Sequence, residues 1–272
     1  MMTSLEKMLF DVEMVKMQEL TGIPANSDYE YAVLGHINGE KRILNACSDR
    51  YELVDNKEIF PQIRQVLNAS GLEFSESYRM TPNNARFYAD YVIESEQASI
   101  GSGFDIVKPL IRVRHSYNGM TKYGITFGYY RMVCDNGLVV PVEGKEATNL
   151  HITGRHTINI RRSFDTLIQR LEKFTTNHQI YSEVYNNLAR KEVVNVEDRV
   201  KEVLNACSIP ETRSTTVVLS VKEEASKLYN GQINDWLIYN GVNQLVHKGE
   251  SKKVLEQKEV YDHKAINFLV KH

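Results

Sequence analysis

Apolar residues at Leu5, Met8, Leu9, Val12 and Val15 fall three and four apart, the spacing of one helical face, and predict a helix over residues 5–20. Thr21-Gly22-Ile23-Pro24 ends it. Segments 29–37 and 42–53, rich in Tyr, Val and Ile and parted by Asn38-Gly39, read as a pair of short strands. Ile59, Ile63, Val66 and Leu67 form the stripe of a second helix, with Asp55 and Asn56 as candidate caps and Gly71 as its end. Pro61 fits only a first turn, so this helix starts late or is kinked there. The period then drops to two. Residues 72–80, 85–94, 106–117 and 122–134 alternate or are dense in aromatic and β-branched side chains, with Asn118-Gly119 and Asn136-Gly137 as turns. Helical spacing returns at Phe164, Leu167, Ile168, Leu171 and Phe174, and further helices are predicted around 196–206, 217–229 and 233–247.

This succession predicts an α+β fold: an antiparallel β-meander packed on helices, with a helical C-terminal part. Three regions follow: an N-terminal helical arm (1–28), an α+β core with a basic sheet (29–163) and the helical part (164–272).

Composition narrows the class. Of 272 residues, 42% are apolar and 25% charged, near the average of globular domains, and no apolar run is long enough for a membrane span. The first residues lack the uninterrupted apolar core of a secretory signal. Three scattered cysteines, Cys47, Cys134 and Cys207, argue against a disulfide framework and for a reducing, cytoplasmic setting. The net charge of -2 hides a gradient: residues 105–170 hold 10 Lys/Arg against 5 Asp/Glu, whereas residues 1–104 hold 9 against 16. A basic middle points to an anionic partner for that segment, although solvated faces also vary in charge.

The strand at 110–116 places Arg112 and Arg114 on one face. In the next strand Tyr123, Ile125, Phe127, Tyr129 and Arg131 share one face, while Lys122, Gly124, Thr126, Gly128 and Tyr130 share the other. Guanidinium forks meet phosphates and aromatic rings stack on bases, so such a sheet suits a single-stranded nucleic acid; a half-buried sheet with an ordinary solvent face accounts for it equally. Further on, His151, Thr153 and Arg155 point outward if residues 149–157 are extended, with His156 following and Arg161 and Arg162 opening the long helix. Cations at a helix start oppose its dipole, a conflict that bound phosphate would relieve.

Sites for chemistry are thin. His151, His156 and Cys134 lack a fourth zinc ligand and the usual spacing. Gly144-Lys145-Glu146 has glutamate where a P-loop needs a hydroxyl. Glu94 and Glu96, with a histidine such as His115, would serve a metal-dependent nuclease. No serine elbow or zinc-protease motif occurs. No catalytic residue, metal or cofactor is therefore assigned.

The stretch Ser48-Asp49-Arg50-Tyr51-Glu52-Leu53-Val54-Asp55-Asn56-Lys57-Glu58-Ile59-Phe60 resembles the opening motif of a phage/plasmid-like protein family of unknown function. Three later stretches resemble its other motifs: Arg131-Met132-Val133-Cys134-Asp135-Asn136-Gly137-Leu138, Arg155-His156-Thr157-Ile158-Asn159-Ile160, and Asp235-Trp236-Leu237-Ile238-Tyr239-Asn240-Gly241-Val242. The likeness spans about residues 45–250, and Asp135 and Gly241 stand where the family implies alanine. It implies a phage or plasmid setting and so favours DNA metabolism. By architecture alone, helix, meander and long helix look like the core of single-strand annealing proteins of the RecT and Redβ type, which act as rings or filaments.

The reading that follows is a non-enzymatic single-stranded DNA-binding protein, a homo-oligomer that promotes annealing in recombination. Its phosphate and base contacts would be Arg112, Arg114, Lys122, Tyr123, Tyr129, Arg131, His151, Arg155, His156, Arg161 and Arg162. The alternatives are a structural or interaction protein of a phage and, behind it, the nuclease.

Overall fold

The β-branched and aromatic runs pair as antiparallel strands. A computed structural model describes residues 3–24, 28–101, 103–133, 136–139, 150–154, 166–248 and 255–272. Strands β1 (Asp11–Lys16), β2 (Tyr31–Ile37) and β3 (Glu40–Cys47) form a three-stranded sheet in the order β1-β2-β3. The second sheet has seven strands: β4 (Phe74–Met80), β5 (Arg86–Ile93), β6 (Ala98–Ile100), β7 (Asp105–Ser116), β8 (Tyr123–Arg131), β9 (Asn136–Val139) and β10 (His151–Gly154). Its order is β10-β8-β7-β5-β4, with β6 beside β7 and β9 beside β8. The helices are α1 (Met17–Thr21), α2 (Asn56–Ala69), α3 (Leu167–Thr176), α4 (His178–Arg190), α5 (Val196–Ala206), α6 (Ser214–Leu228), α7 (Asp235–Lys248) and α8 (Leu255–Lys271). The fold is α+β, with antiparallel sheets and C-terminal helices.

The chain divides into two compact units, each discontinuous in sequence. The first holds residues 1–95, 111–126 and 148–172; the second holds 96–110, 127–147 and 173–272. The expected boundary at 163/164 lies outside the described residues.

In the first unit, α2 starts where Asp55 caps it, its carboxylate accepting from Lys57 N at 2.9 Å. Ile59, Phe60, Ile63 and Leu67 form its buried face. Pro61 sits inside this helix rather than in its first turn. Phe87, His115 and Tyr117 gather in the core, with ring centroids 5.0 Å apart for Phe87–Tyr117 and 5.2 Å for His115–Tyr117. In the second unit Phe174, Tyr181, Tyr185, Leu188 and Trp236 are buried, with Tyr185 and Trp236 rings 5.0 Å apart.

Two expectations need correction. Residues 5–20 do not form one helix: a 3-10 turn at Glu6–Met8 leads into β1, and only α1 is helical. The short window 11–16 satisfies both periods, and the six backbone pairs from Asp11↔His36 to Lys16↔Tyr31 decide for the strand. The helix expected from Phe164 to Phe174 is described from Leu167 as α3, and a further helix that the spacing did not predict, α4, follows after Asn177.

Candidate nucleic-acid interface

The basic middle segment is where the sequence places its site, and the structure gives its cations different surroundings. Arg131, the last residue of β8, is fully buried in the second unit. Its Nε and Nη2 donate to the two oxygens of Asp105 at 2.8 and 2.6 Å, and Nη1 donates to Glu224 at 2.7 Å. Trp236 Nε1 and the Tyr229 hydroxyl also donate to Asp105, at 2.7 and 3.1 Å. Burial, reinforced by the Asp105 charge, raises the Tyr229 phenol and keeps it a neutral donor. Gln244 donates to the other oxygen of Glu224. A guanidinium so enclosed is a structural centre.

Tyr129 is buried in the same unit, its hydroxyl donating to the His178 carbonyl at 2.6 Å. Tyr123, in the first unit, is buried with its ring edge toward His115. The sheet face read as an open platform for Tyr123, Tyr129 and Arg131 is turned inward. The correction is to packing: aromatic rings contribute most when their whole area leaves water.

Arg112 is 8% exposed and donates to both oxygens of Asp90 at 2.7 and 2.9 Å, while Arg79 donates to the same carboxylate at 2.8 Å. Burial pushes Asp90 up, but the Arg112 charge and hydrogen bonds, helped by Arg79, outweigh it and hold the carboxyl below its usual range. Arg112 therefore serves as a bridging group more than an open phosphate fork. Arg114 is half-buried and lies over Gly124, its Nε 2.8 Å from where a Cβ would stand, so glycine is what admits the guanidinium. His151 Nδ1 is 3.3 Å from Thr126 Oγ1, and its carbonyl accepts from Arg170 at 2.9 Å. Arg155, His156, Arg161 and Arg162 lie outside the described residues, as does Cys134.

Lys122 has a different setting. It is exposed and lines a cleft of about 550 Å³ in the first unit. One wall is the end of β3 and the loop after it: Asn45, Ala46, Cys47, Ser48, Arg50 and Tyr51. The other is the β7–β8 turn, Asn118-Gly119-Met120, and Tyr29 completes the lining. Both walls are held from below. Ser116 Oγ donates to the Thr121 carbonyl at 2.8 Å and accepts from Thr121 N at 3.1 Å, which closes the turn. Tyr51 donates to the Tyr117 carbonyl at 3.3 Å, and the Tyr117 hydroxyl donates to Asp55 at 3.2 Å and accepts from Asn56 N at 2.9 Å. Gly119 takes φ +66, a left-handed backbone that suits glycine. Tyr29 is 60% exposed and Met120 71%, so an aromatic ring and a thioether, whose sulfur accepts from Arg86 at 3.2 Å, line the cleft with two cations and two carboxamides. Burial raises the Cys47 thiol and, most strongly, the Tyr51 phenol, leaving both neutral.

Of the cleft's residues the site reading contained only Lys122. The signal for the rest is the polar stretch Ser48-Asp49-Arg50-Tyr51 between a strand and a capped helix; Tyr29 and Met120 carry no comparable signal. The nuclease candidates have other partners: Glu94 accepts from Ser75 at 2.6 Å, Glu96 pairs with His178 at 3.3 Å, and His115 is fully buried among rings. Among the described residues no group of three or more His, Cys, Asp or Glu could hold a metal, and no helix is long and apolar enough to cross a membrane.

Comparison with curated proteins finds no match, and comparison with solved structures finds none either. The model of a domain of unknown function, DUF932, matches residues 43–266, from the β3 wall of the cleft to α8, and the chain belongs to that family.

Proposed function

We propose that the protein binds single-stranded DNA and brings complementary strands together without covalent chemistry, using the cleft of the first unit as its contact surface. The observation that carries this reading is the cleft lining: the exposed Tyr29 ring beside Arg50, Lys122, Asn45 and Asn118. A single strand offers what those groups take, namely π faces for the ring, phosphates for the cations and base edges for the amides. Annealing asks only that strands be held with their base edges accessible. Arg114, a half-buried residue of β7, adds a further cation, whereas Arg112, Tyr123, Tyr129 and Arg131 act as framework. Arg155, His156, Arg161 and Arg162 remain proposed phosphate contacts on sequence grounds alone. The cytoplasmic setting, the phage or plasmid origin, the ring or filament of identical subunits and the likeness to RecT and Redβ proteins belong to the same proposal.

A second reading, an interaction protein, is favoured by apolar side chains standing in solvent on the second unit: Phe104 at 79% exposure, Ile180 at 67% and Val194 at 99%.

Fluorescence anisotropy of a labelled 30-nucleotide strand, titrated at several salt concentrations, tests the proposal. Wild type is expected to bind the single strand better than its duplex. Lys122→Ala should flatten the salt slope by about 0.7, one phosphate's share. Tyr29→Ala should weaken binding by about 1–3 kcal/mol. Absence of binding at low salt, or equal affinity for duplex, overturns the reading and leaves the interaction protein in its place.

A further inference from the structure

The cleft does not end at Tyr29. A second hollow, of about 440 Å³, shares Tyr29, Ser48 and Arg50 with it and is otherwise lined by Asp28, Glu30 and Asp49. The two linings that meet at Tyr29 thus differ in charge: Lys122, Asn45 and Asn118 belong to the first hollow alone, the exposed carboxylates of Asp28, Glu30 and Asp49 to the second alone, and Arg50 to both. A phosphodiester is repelled from the acidic side, which leaves the strand's backbone toward Lys122. A base stacked on Tyr29 then turns its edge toward the carboxylates. Ionised carboxylates only accept hydrogen bonds, so they are matched by an exocyclic amine and opposed by a carbonyl in the same place.

Resting on the single-strand reading, we infer that this cleft selects cytosine and adenine, whose amine at C4 or C6 takes the place of a carbonyl, over thymine. Cytosine and thymine are both pyrimidines of similar stacking area, so their comparison isolates the amine at C4, which donates, from the carbonyl there, which accepts.

The test is competition anisotropy with dC15, dA15 and dT15 on the full chain at one salt concentration. The expected result is dC15 and dA15 competing about fivefold or more better than dT15, the weaker end of what one matched base contact contributes. In the triple variant Asp28→Asn, Glu30→Gln, Asp49→Asn the amides both donate and accept, so the preference should vanish while dT15 binds more tightly. These positions are exposed, and circular dichroism checks that the fold is kept. Lys122→Ala should weaken all three oligonucleotides by a similar factor. Equal binding of dC15 and dT15 by wild type, or a preference that survives in the triple variant, overturns the base selection and leaves single-strand binding standing. Failure of all three to bind overturns both.

Discussion

Lys122 and Arg131 bracket the same strand, one just before β8 and the other its last residue, and their surroundings are opposite. Lys122 stands in water at the mouth of a cleft in the first unit. Arg131 is enclosed in the second unit by Asp105, Glu224, Tyr229 and Trp236, with its guanidinium carbon 5.3 Å from the Trp236 ring centre. A buried charge is tolerable only when oppositely charged partners and hydrogen bonds replace its water, whereas an exposed charge keeps its hydration and stays open to an anion. A segment's surplus of cations therefore overstates the positive surface it presents. Of the cations described between residues 105 and 170, Arg131 is tied to the buried carboxylate of Asp105 and Arg112 to the half-buried one of Asp90.

The widest break between the two settings is Arg131→Met. Asp105 and Glu224 would stay buried without their counter-charge, and a loss of about 3–5 kcal/mol in stability is expected from urea unfolding. A cost below about 1 kcal/mol would mean that the network is far looser than its distances imply.

Arg112 lies between these extremes. Asp90 keeps Arg79 when Arg112 is lost, so Arg112→Ala is expected to cost less, about 2 kcal/mol, and to leave the salt slope of strand binding unchanged. A flattened slope would return Arg112 to the phosphate contacts. The same carboxylate sets a pH dependence. Its folded pKa lies below the unfolded value near 3.9, so its contribution is present above that value and is lost as pH falls through the folded pKa. Urea midpoints measured down from pH 5 should show this acid limb, and Asp90→Asn should flatten it.

The smallest effect concerns the packing between two helices of the second unit. At Gly241, where the sequence likeness implies alanine, an added Cβ would stand 2.8 Å from Val221 Cγ2 and 3.0 Å from Val217 Cγ1, where α7 packs on α6. Overpacking of about 1–3 kcal/mol opposes a helix-propensity gain of about 1 kcal/mol, so Gly241→Ala should destabilise by roughly 1 kcal/mol. A rise in melting temperature would show that the valines yield.

What the chain's own pattern determined is the run of elements wherever local periodicity is long and unambiguous. The aromatic and β-branched stretches became β4, β5, β7 and β8, and helical stripes became α2, α5, α6 and α7. Strand alternation was legible too, since Arg112 and Arg114 are the more polar positions of a strand whose Ile111, Val113 and His115 are in the core. Tertiary structure alone decided three things. It made a strand of residues 11–16, because β2 offered an edge to pair with. It turned Tyr123, Tyr129 and Arg131 inward, because partners from distant segments, Glu224 and Trp236 among them, cover Arg131. And it brought Tyr29, Asn45, Arg50 and Asn118 around Lys122, residues up to 93 positions away from it in sequence. Periodicity reports which side of an element faces protein. Which groups meet across space depends on how non-neighbouring elements pack, and no local pattern encodes that.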